Sequence, residues 1–309
     1  PADDKDEPVF EGRFNIGVVS LHLPMILAKA RQENRDFYEV LDYYLELIRQ
    51  LHIRTYAYLG EMRASTNPLA YCEGGFLGGH LKLTDKIKPL LKSATASFGI
   101  TALNELQELY NGKSLVEDGA FAVEVLEHIN QKISEYKEED GNLYAIYGTP
   151  AETLCYRFAR IDREKYGDIS NVTDKGYYTN SYHVDVREKI DAFTKFKIES
   201  EFQNKSLGGA ISYVEVPNLT NNVEAIEEVI RFIYDNIQYG EFNTKSDYCQ
   251  VCGYDGEIMI NDNMEWECPQ CHNKDHAKMN VTRRTCGYLG ENFWNVGKTK
   301  EIKARVMHL

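Results

Sequence analysis

Two short cysteine motifs, Cys249-Gln250-Val251-Cys252 and Cys268-Pro269-Gln270-Cys271, carry the plainest chemistry in a chain of 309 residues. Each sets two thiols on one tight turn whose amide groups offset thiolate charge, and two such turns can close a tetrahedral four-sulfur site. Zinc is the metal this pattern calls for. Four thiolates leave no open coordination position, so the expected site is structural rather than Lewis-acidic. A redox dithiol pair and a rubredoxin-like iron site are the rival readings. His272 and His276 lie near enough to be ligands and read as bystanders. Gly253 to Ile260 and Glu265-Trp266-Glu267 read as a small β-ribbon that carries both turns.

Fifteen residues separate Cys271 from Gly287, which sits in Arg284-Thr285-Cys286-Gly287-Tyr288-Leu289-Gly290. A glycine so placed is ordinarily a turn or a helix C-cap. Here basic side chains, a cysteine, an aromatic ring and a second glycine converge on one loop, which runs on through Phe293-Trp294-Asn295 to Lys303-Ala304-Arg305-Val306. Cys286 reads as a small residue filling a tight loop, with a reductive partner as the alternative. Cys72 and Cys155 read as packing residues. The odd total of seven cysteines suits a reducing compartment better than a disulfide framework.

The elements that must position these groups alternate strand and helix, as in parallel α/β folds. Ile16 to Leu23 has the β-branched density of a buried strand, and a helix is expected from Pro24 into Ala30. Val40, Leu41, Tyr44, Leu45, Ile48 and Leu51 recur at helical spacing, which predicts a long core-packed helix over Phe37 to Met62. A short strand at Ser97 to Thr101 leads into a helix over Ala102 to Tyr110, and a further helix covers Val116 to Tyr136. Leu143 to Tyr147 is strand-like, followed by Gly148-Thr149-Pro150 and a helix from Ala151. Tyr177 to His183 reads as an aromatic loop, either facing a cavity or packing. Gly209 to Val216 reads as a strand and Asn222 to Ile237 as a helix capped by Asn221 or Asn222. Composition changes at Tyr248, which places a domain boundary near Asn243.

Composition narrows the class. With 48 acidic and 35 basic residues the net charge is −13, so no general attraction to nucleic acid or an anionic membrane is expected, and any nucleotide would bind in a local site. No run approaches the roughly 18 apolar residues of a membrane span, and no signal-peptide pattern is present, so a cytoplasmic address is expected. Pro1 to Pro8 reads as an acidic exposed loop from the middle of a longer protein.

Taken together, the glycine loop and the cysteine pairs resemble the C-terminal part of class III (anaerobic) ribonucleotide reductases, whose members carry a Cys₄ zinc site just before a glycyl-radical loop. Gly12 to Pro24 looks like the strand after the family's active-site cysteine loop, Tyr147-Gly148-Thr149-Pro150-Ala151-Glu152 matches its Tyr-x-Thr-Pro-Ala-Glu segment, and Glu301 to Leu309 looks like its C-terminus. The resemblance implies an α/β fold, part of the ten-stranded barrel of glycyl radical enzymes, divided as 1–243 barrel, 244–278 zinc ribbon and 279–309 radical loop and tail. It implies that Gly287 stores an unpaired electron on Cα, generated by a radical-SAM activase with an iron–sulfur cluster. That radical passes to a cysteine, whose thiyl form attacks a ribonucleoside triphosphate, with formate as reductant. Glu152 and Asn15 match positions for acid/base work and for an amide that holds formate or ribose hydroxyls, with Tyr147 lining the same pocket. Read without the family, Glu152 is a first-turn helix carboxylate and Asn15 a turn residue at strand entry. The thiyl cysteine is missing from its expected place before Gly12, so the chain is expected to work with a missing N-terminal half or subunit, as a homodimer in the complete enzyme. A pyruvate formate-lyase-like enzyme and a non-catalytic zinc-ribbon interaction protein are the alternatives.

Overall fold

The computed structural model describes residues 13–74, 79–285, 289–291 and 294–309, with backbone alone at Glu152 and Glu291. The chain opens with β1 (Phe14–His22), α1 (Leu23–Glu33), α2 (Phe37–Gly60) and the single turn α3 (Pro68–Tyr71). Then come β2 (Ala94–Thr101), α4 (Leu103–Asn111), α5 (Ala120–Asp140), β3 (Leu143–Gly148), α6 (Glu152–Tyr166) and α7 (Ala192–Gln203). A second strand–helix–strand unit follows as β4 (Ser212–Glu215), α8 (Val223–Asn236) and β5 (Gly240–Asn243). The helix boundaries follow local chemistry. Asp36 accepts from the N–H groups of Tyr38 and Glu39 to start α2, Asn222 accepts from Ala225 to start α8, and α5 stops at Gly141, whose φ of 67° suits glycine.

Strands β1, β2 and β3 pair in parallel, in that order. β4 pairs in parallel with β5, and a parallel bridge between Tyr147 and Gly209 joins the two groups. On one face of the three-stranded sheet Phe98, Ile100, Tyr144 and Ile146 pack with Leu41, Leu45, Val125 and Ile129 of α2 and α5. Each such side chain contributes about 1.5–3 kcal/mol through burial. Strand alternation puts Ser97, Gly99, Ala145 and Tyr147 on the other face. That face is kept low: a Cβ at Gly99 would stand 2.3 Å from Thr149 Oγ1 and 2.6 Å from Ser20 Oγ.

Two expectations need correction. β1 is not a buried strand, since Leu21 is its one fully buried residue. Among the described strands it pairs with β2 alone, so its outer edge is open. The helix expected over Asn222 to Ile237 is present as α8, capped by Asn222, and packs by a narrow strip, with Val229 buried while Val223, Ile230 and Tyr234 are exposed. α5 begins at Ala120 rather than Val116, because Ser114 to Asp118 form a turn in which Glu117 and Asp118 both donate their N–H groups to Ser114. The Tyr177–His183 loop proves to be packing: it is buried throughout, its Thr179 donates twice to Glu105, and Tyr178 donates to Asp162. Cys155 is buried in an apolar cluster and Cys72 packs on the main core, as expected.

The rest of the chain consists of short strands β6 (Asp247–Cys249), β7 (Asp255–Gly256), β8 (Met259–Ile260), β9 (Trp266–Glu267), β10 (Met279–Asn280), β11 (Thr282–Arg284) and β12 (Leu289–Glu291), then α9 (Val296–Ala304). The final residues return to the parallel strands. Val306 N–H bonds Val186 C=O, and His308 makes a backbone bond to Glu215 C=O at 2.9 Å. His308 Nδ1 also accepts from Glu215 N–H at 2.9 Å, which requires that nitrogen unprotonated. Burial, aided by the charges of Lys195 and Arg305 and opposed by Glu199, pushes His308 down from 6.5 to about 4. The unfolded chain therefore binds a proton that the folded chain refuses between those values, so stability falls as pH drops from 6.5 to about 4. The loss expected from His308 is about 3 kcal/mol. Urea unfolding across that window should show this loss in the parent and lose most of it in His308→Asn, whose amide oxygen can still accept the bond; equal pH slopes would refute the assignment.

Candidate functional site

The four cysteines meet. The sulfur atoms of Cys249, Cys252, Cys268 and Cys271 all lie within 4.8 Å of one another. Cys249 and Cys271 stand 3.7 Å apart, as do Cys252 and Cys268. A tetrahedron with zinc–sulfur bonds of about 2.3 Å has edges of about 3.8 Å, which these two edges match, so the donor set and its spacing fit zinc. Burial works to raise the Cys249 thiol, but N–H groups of Cys252 and Val251 outweigh it and hold it at about 6. Asn273 Nδ2 points at Cys249 Sγ from 3.8 Å. His272 is turned away to Glu267, at 2.6 Å, as a bystander should be.

The cage belongs to a small core. Cys249, Ile258, Trp266, Cys268, Met279 and Val281 cluster with Ile302 of α9, and Trp294 packs against them. From this core rises the antiparallel pair β11–β12, in which Arg283 faces Gly290 and Arg284 faces Leu289. Asp247 fastens its base: the carboxylate accepts from Thr282 N–H and pairs with the Arg283 guanidinium, both groups being at most 1% exposed. Trp294 lies against Gly290 and, 5.7 Å away ring to ring, against Trp266. Cys286, Gly287 and Tyr288, which connect β11 to β12 in sequence, lie outside the described residues.

Side chains from the ends of β4 and β5 reach the same hairpin. Asn243 Oδ1 accepts from Arg284 N–H at 3.1 Å, while its Nδ2 donates to Glu215 at 2.6 Å. Arg305 donates to Glu215 at 2.8 Å and to the Arg284 carbonyl at 2.9 Å. Sequence reading missed Glu215, Asn243 and Arg305, since nothing local marks residues that meet across 28 and 90 positions. A charged or amide residue ending an apolar strand was the available signal.

Of the remaining candidates, Asn15 and Tyr147 share the open face of the sheet at different heights. Asn15 is level with Thr95, and Tyr147 with Gly99. The offset is about 13 Å at 3.3 Å per residue. Asn15 bonds Ser97 Oγ through Nδ2 and accepts from Gly17 N–H at 2.8 Å, where the β1–β2 register shifts. One amide proton and one lone pair remain for a ligand. The Tyr147 ring lies over Gly209, where a Cβ would sit 2.4 Å from it. Glu152 opens α6 directly after the turn that leaves β3. α6 in turn touches α9, where Gly297 lets the Tyr156 ring approach to within 2.3 Å of a would-be Cβ. So β3, α6, α9 and the hairpin form one connected region, with Asn15 at its far side.

Solved structures share this α/β fold. An anaerobic ribonucleotide reductase matches with a TM-score of 0.68 at 21% identity, over 94% of this chain and 44% of that one. The anaerobic ribonucleotide reductase from Thermotoga maritima, in complex with dATP and CTP, matches with a TM-score of 0.65 at 21% identity, over 95% of this chain and 46% of that one. The sequence itself goes further than fold, because the family model described as anaerobic ribonucleoside-triphosphate reductase matches residues 2–308. This chain belongs to that family, whose members are oxidoreductases. It is 37% identical to the anaerobic ribonucleoside-triphosphate reductase of Haemophilus influenzae, over 99% of this chain and 44% of the relative. It is 36% identical to that of Enterobacteria phage T4, over 99% of this chain and 51% of the relative. The chain thus spans about half the length of the curated relatives it matches. Among the described residues no helix is long and apolar enough to cross a membrane.

Metal content should be one zinc per chain by elemental analysis. Cys268→Ser or a strong chelator should remove it and collapse the ribbon core, with a large drop in melting temperature, since structural zinc is worth about 10–16 kcal/mol in isolated zinc domains. Iron in its place, with visible charge-transfer absorption, would overturn the zinc reading.

Proposed function

We propose that this chain is the radical-storing, zinc-braced part of an anaerobic ribonucleoside-triphosphate reductase, and that Gly287 holds the radical. The observation that carries the reading is the mounting of the strands flanking Gly287: they stand on the four-cysteine core and are gripped by the ends of β4 and β5. A stored radical needs a backbone placed to within a fraction of an ångström of its transfer partner, and a doubly braced hairpin suits that need. In this reading β1 to β5 are half of a ten-stranded barrel, residues 1–243, followed by the ribbon at 244–278 and the radical loop and tail at 279–309. The open edge of β1 supports it, since a further strand could pair there.

The residues then divide the work. A radical-SAM activase takes a hydrogen atom from Gly287 Cα, and the glycyl radical in turn takes one from a cysteine thiol on further polypeptide. The thiyl radical opens attack on the ribose of a ribonucleoside triphosphate, with formate as the reductant. Glu152 moves the proton that accompanies loss of the 2′-hydroxyl as water. Asn15 offers its remaining amide proton and lone pair, and Tyr147 walls the same face. The lattice of thiolates at Cys249, Cys252, Cys268 and Cys271 holds zinc and takes no part in the chemistry. The setting in which this suits a cell is a reducing, anaerobic cytoplasm.

Electron paramagnetic resonance tests the core of the proposal. After strictly anaerobic incubation with activase, reductant and S-adenosylmethionine, the protein should give a glycyl doublet that Gly287→Ala lacks. Glu152→Gln should keep the doublet while nucleotide reduction falls about 10²–10⁴-fold. A doublet that survives Gly287→Ala, or full turnover in Glu152→Gln, would reject the corresponding role.

A further inference from the structure

The bracing of the hairpin is more specific than stability requires. Arg284 is the last paired residue of β11, three positions before Gly287. Its peptide is held on both sides by side chains from elsewhere: Asn243 takes its N–H, and Arg305 donates to its C=O. In an ordinary hairpin those groups would face a neighbouring strand or water. Here Asn243 and Glu215 are the last residues of two parallel strands, and Arg305 caps the last turn of α9.

The gripping groups also fix one another. Arg305 is 1% exposed and Glu215 2% exposed. The guanidinium spends Nη1 on Glu215 and on the Arg284 carbonyl, and donates Nε and Nη2 to Glu301 at 3.1 and 3.2 Å. Asn243 closes the ring by donating to the same Glu215 oxygen that accepts from Arg305. Glu215 is further tied through its backbone to His308. The planar five-donor fork of arginine can serve three acceptors at fixed angles, which the point charge of lysine cannot. Arg284 adds its own side chain, paired with Glu241 at 2.5 Å. Each group in this ring stands at the end of a strand or helix, and the ring closes on the N–H and C=O of one residue, Arg284.

We propose that Arg305, Asn243 and Glu215 are positioning residues for the radical glycine, fixing the Arg284 peptide so that Gly287 is presented at a set distance from its hydrogen-atom partner. The inference rests on Gly287 being the radical site and names the groups that aim it. Transfer of a hydrogen atom is steep in distance, so a loosened grip lowers turnover while leaving substrate binding and zinc intact.

The test uses the full chain with its activase and the rest of its enzyme. Arg305→Lys keeps the charge and loses the fork, and Asn243→Ala removes both links of the ring without altering charge. Lys303→Ala, on the same helix but bonded to Asn261 and Asp262, is the control. Zinc content and melting curves establish that each variant is folded, and Asn243→Ala carries the test if Arg305→Lys is not. Amide exchange at Thr282–Thr285 and Leu289–Glu291 should quicken at least tenfold in the two grip variants and not in the control. The glycyl doublet should still form, kcat should fall about 10–100-fold, and KM should hold. Normal kcat in a variant with a loosened hairpin, or unchanged exchange in both variants, would overturn the inference while leaving the radical assignment standing. Absence of a doublet in the parent protein would instead remove the assignment of Gly287, and this inference with it.

Discussion

A carboxylate taken out of water is tolerable only beside a cation and hydrogen-bond donors, and this acidic chain buries several such carboxylates where separate segments meet. Glu105 of α4 and Asp185 share Lys175, whose side chain is 2% exposed. Glu199 of α7 is paired with Lys195 and His183, and accepts the N–H of Val184. Burial works to raise Asp185, but Lys175 and Arg187 outweigh it and hold its carboxyl well below the usual range. Asp247 with Arg283 and Glu215 with Arg305 repeat the device at the hairpin. Such pairs add little net stability over apolar packing, yet removing one partner costs about 3–5 kcal/mol. They hold together segments that the sequence keeps apart, as Glu215 and Arg305 do across 90 positions.

This pairing also explains how a loop so far along the sequence becomes part of the parallel-strand unit. The cysteine cage supplies a small apolar core, and Ile302 of α9 is packed within it. Gly297 of the same helix lies under the Tyr156 ring of α6, the helix that Glu152 opens. One nine-residue helix therefore links the position of the four-cysteine core to the strand ends and to the helix that the candidate acid/base residue opens.

Much of this was legible in the sequence, for physical reasons that also set the limit. Cys-x-x-Cys pairs declare themselves because both ligands of a turn are local, and the helices of the first half declare themselves because their apolar faces repeat every turn. β1 misled, because β-branched density records the propensity to form a strand and not its burial: the strand forms, but among the described strands it pairs on one edge only and buries Leu21 alone. α8 was legible from its periodicity and its Asn222 cap, while the narrowness of the surface it buries was not. The ring formed by Glu215, Asn243, Arg284 and Arg305 left only a faint trace, a polar residue ending each apolar strand: otherwise each looks like an ordinary polar neighbour until the fold brings the strand ends under the hairpin. Among the proposed site residues, Asn15 and Tyr147 lie on different strands, so both their shared sheet face and their difference in height needed the register.

The two tryptophans of the chain, Trp266 and Trp294, both sit where the ribbon meets the hairpin, with their rings 5.7 Å apart and the Arg283 guanidinium 5.4 Å from the centre of Trp266. Ultraviolet emission excited at the red edge of protein absorption thus comes from this junction and from nowhere else in the chain. The protein carries its own optical gauge of the seam between its four-cysteine core and the β11–β12 hairpin, readable without a label.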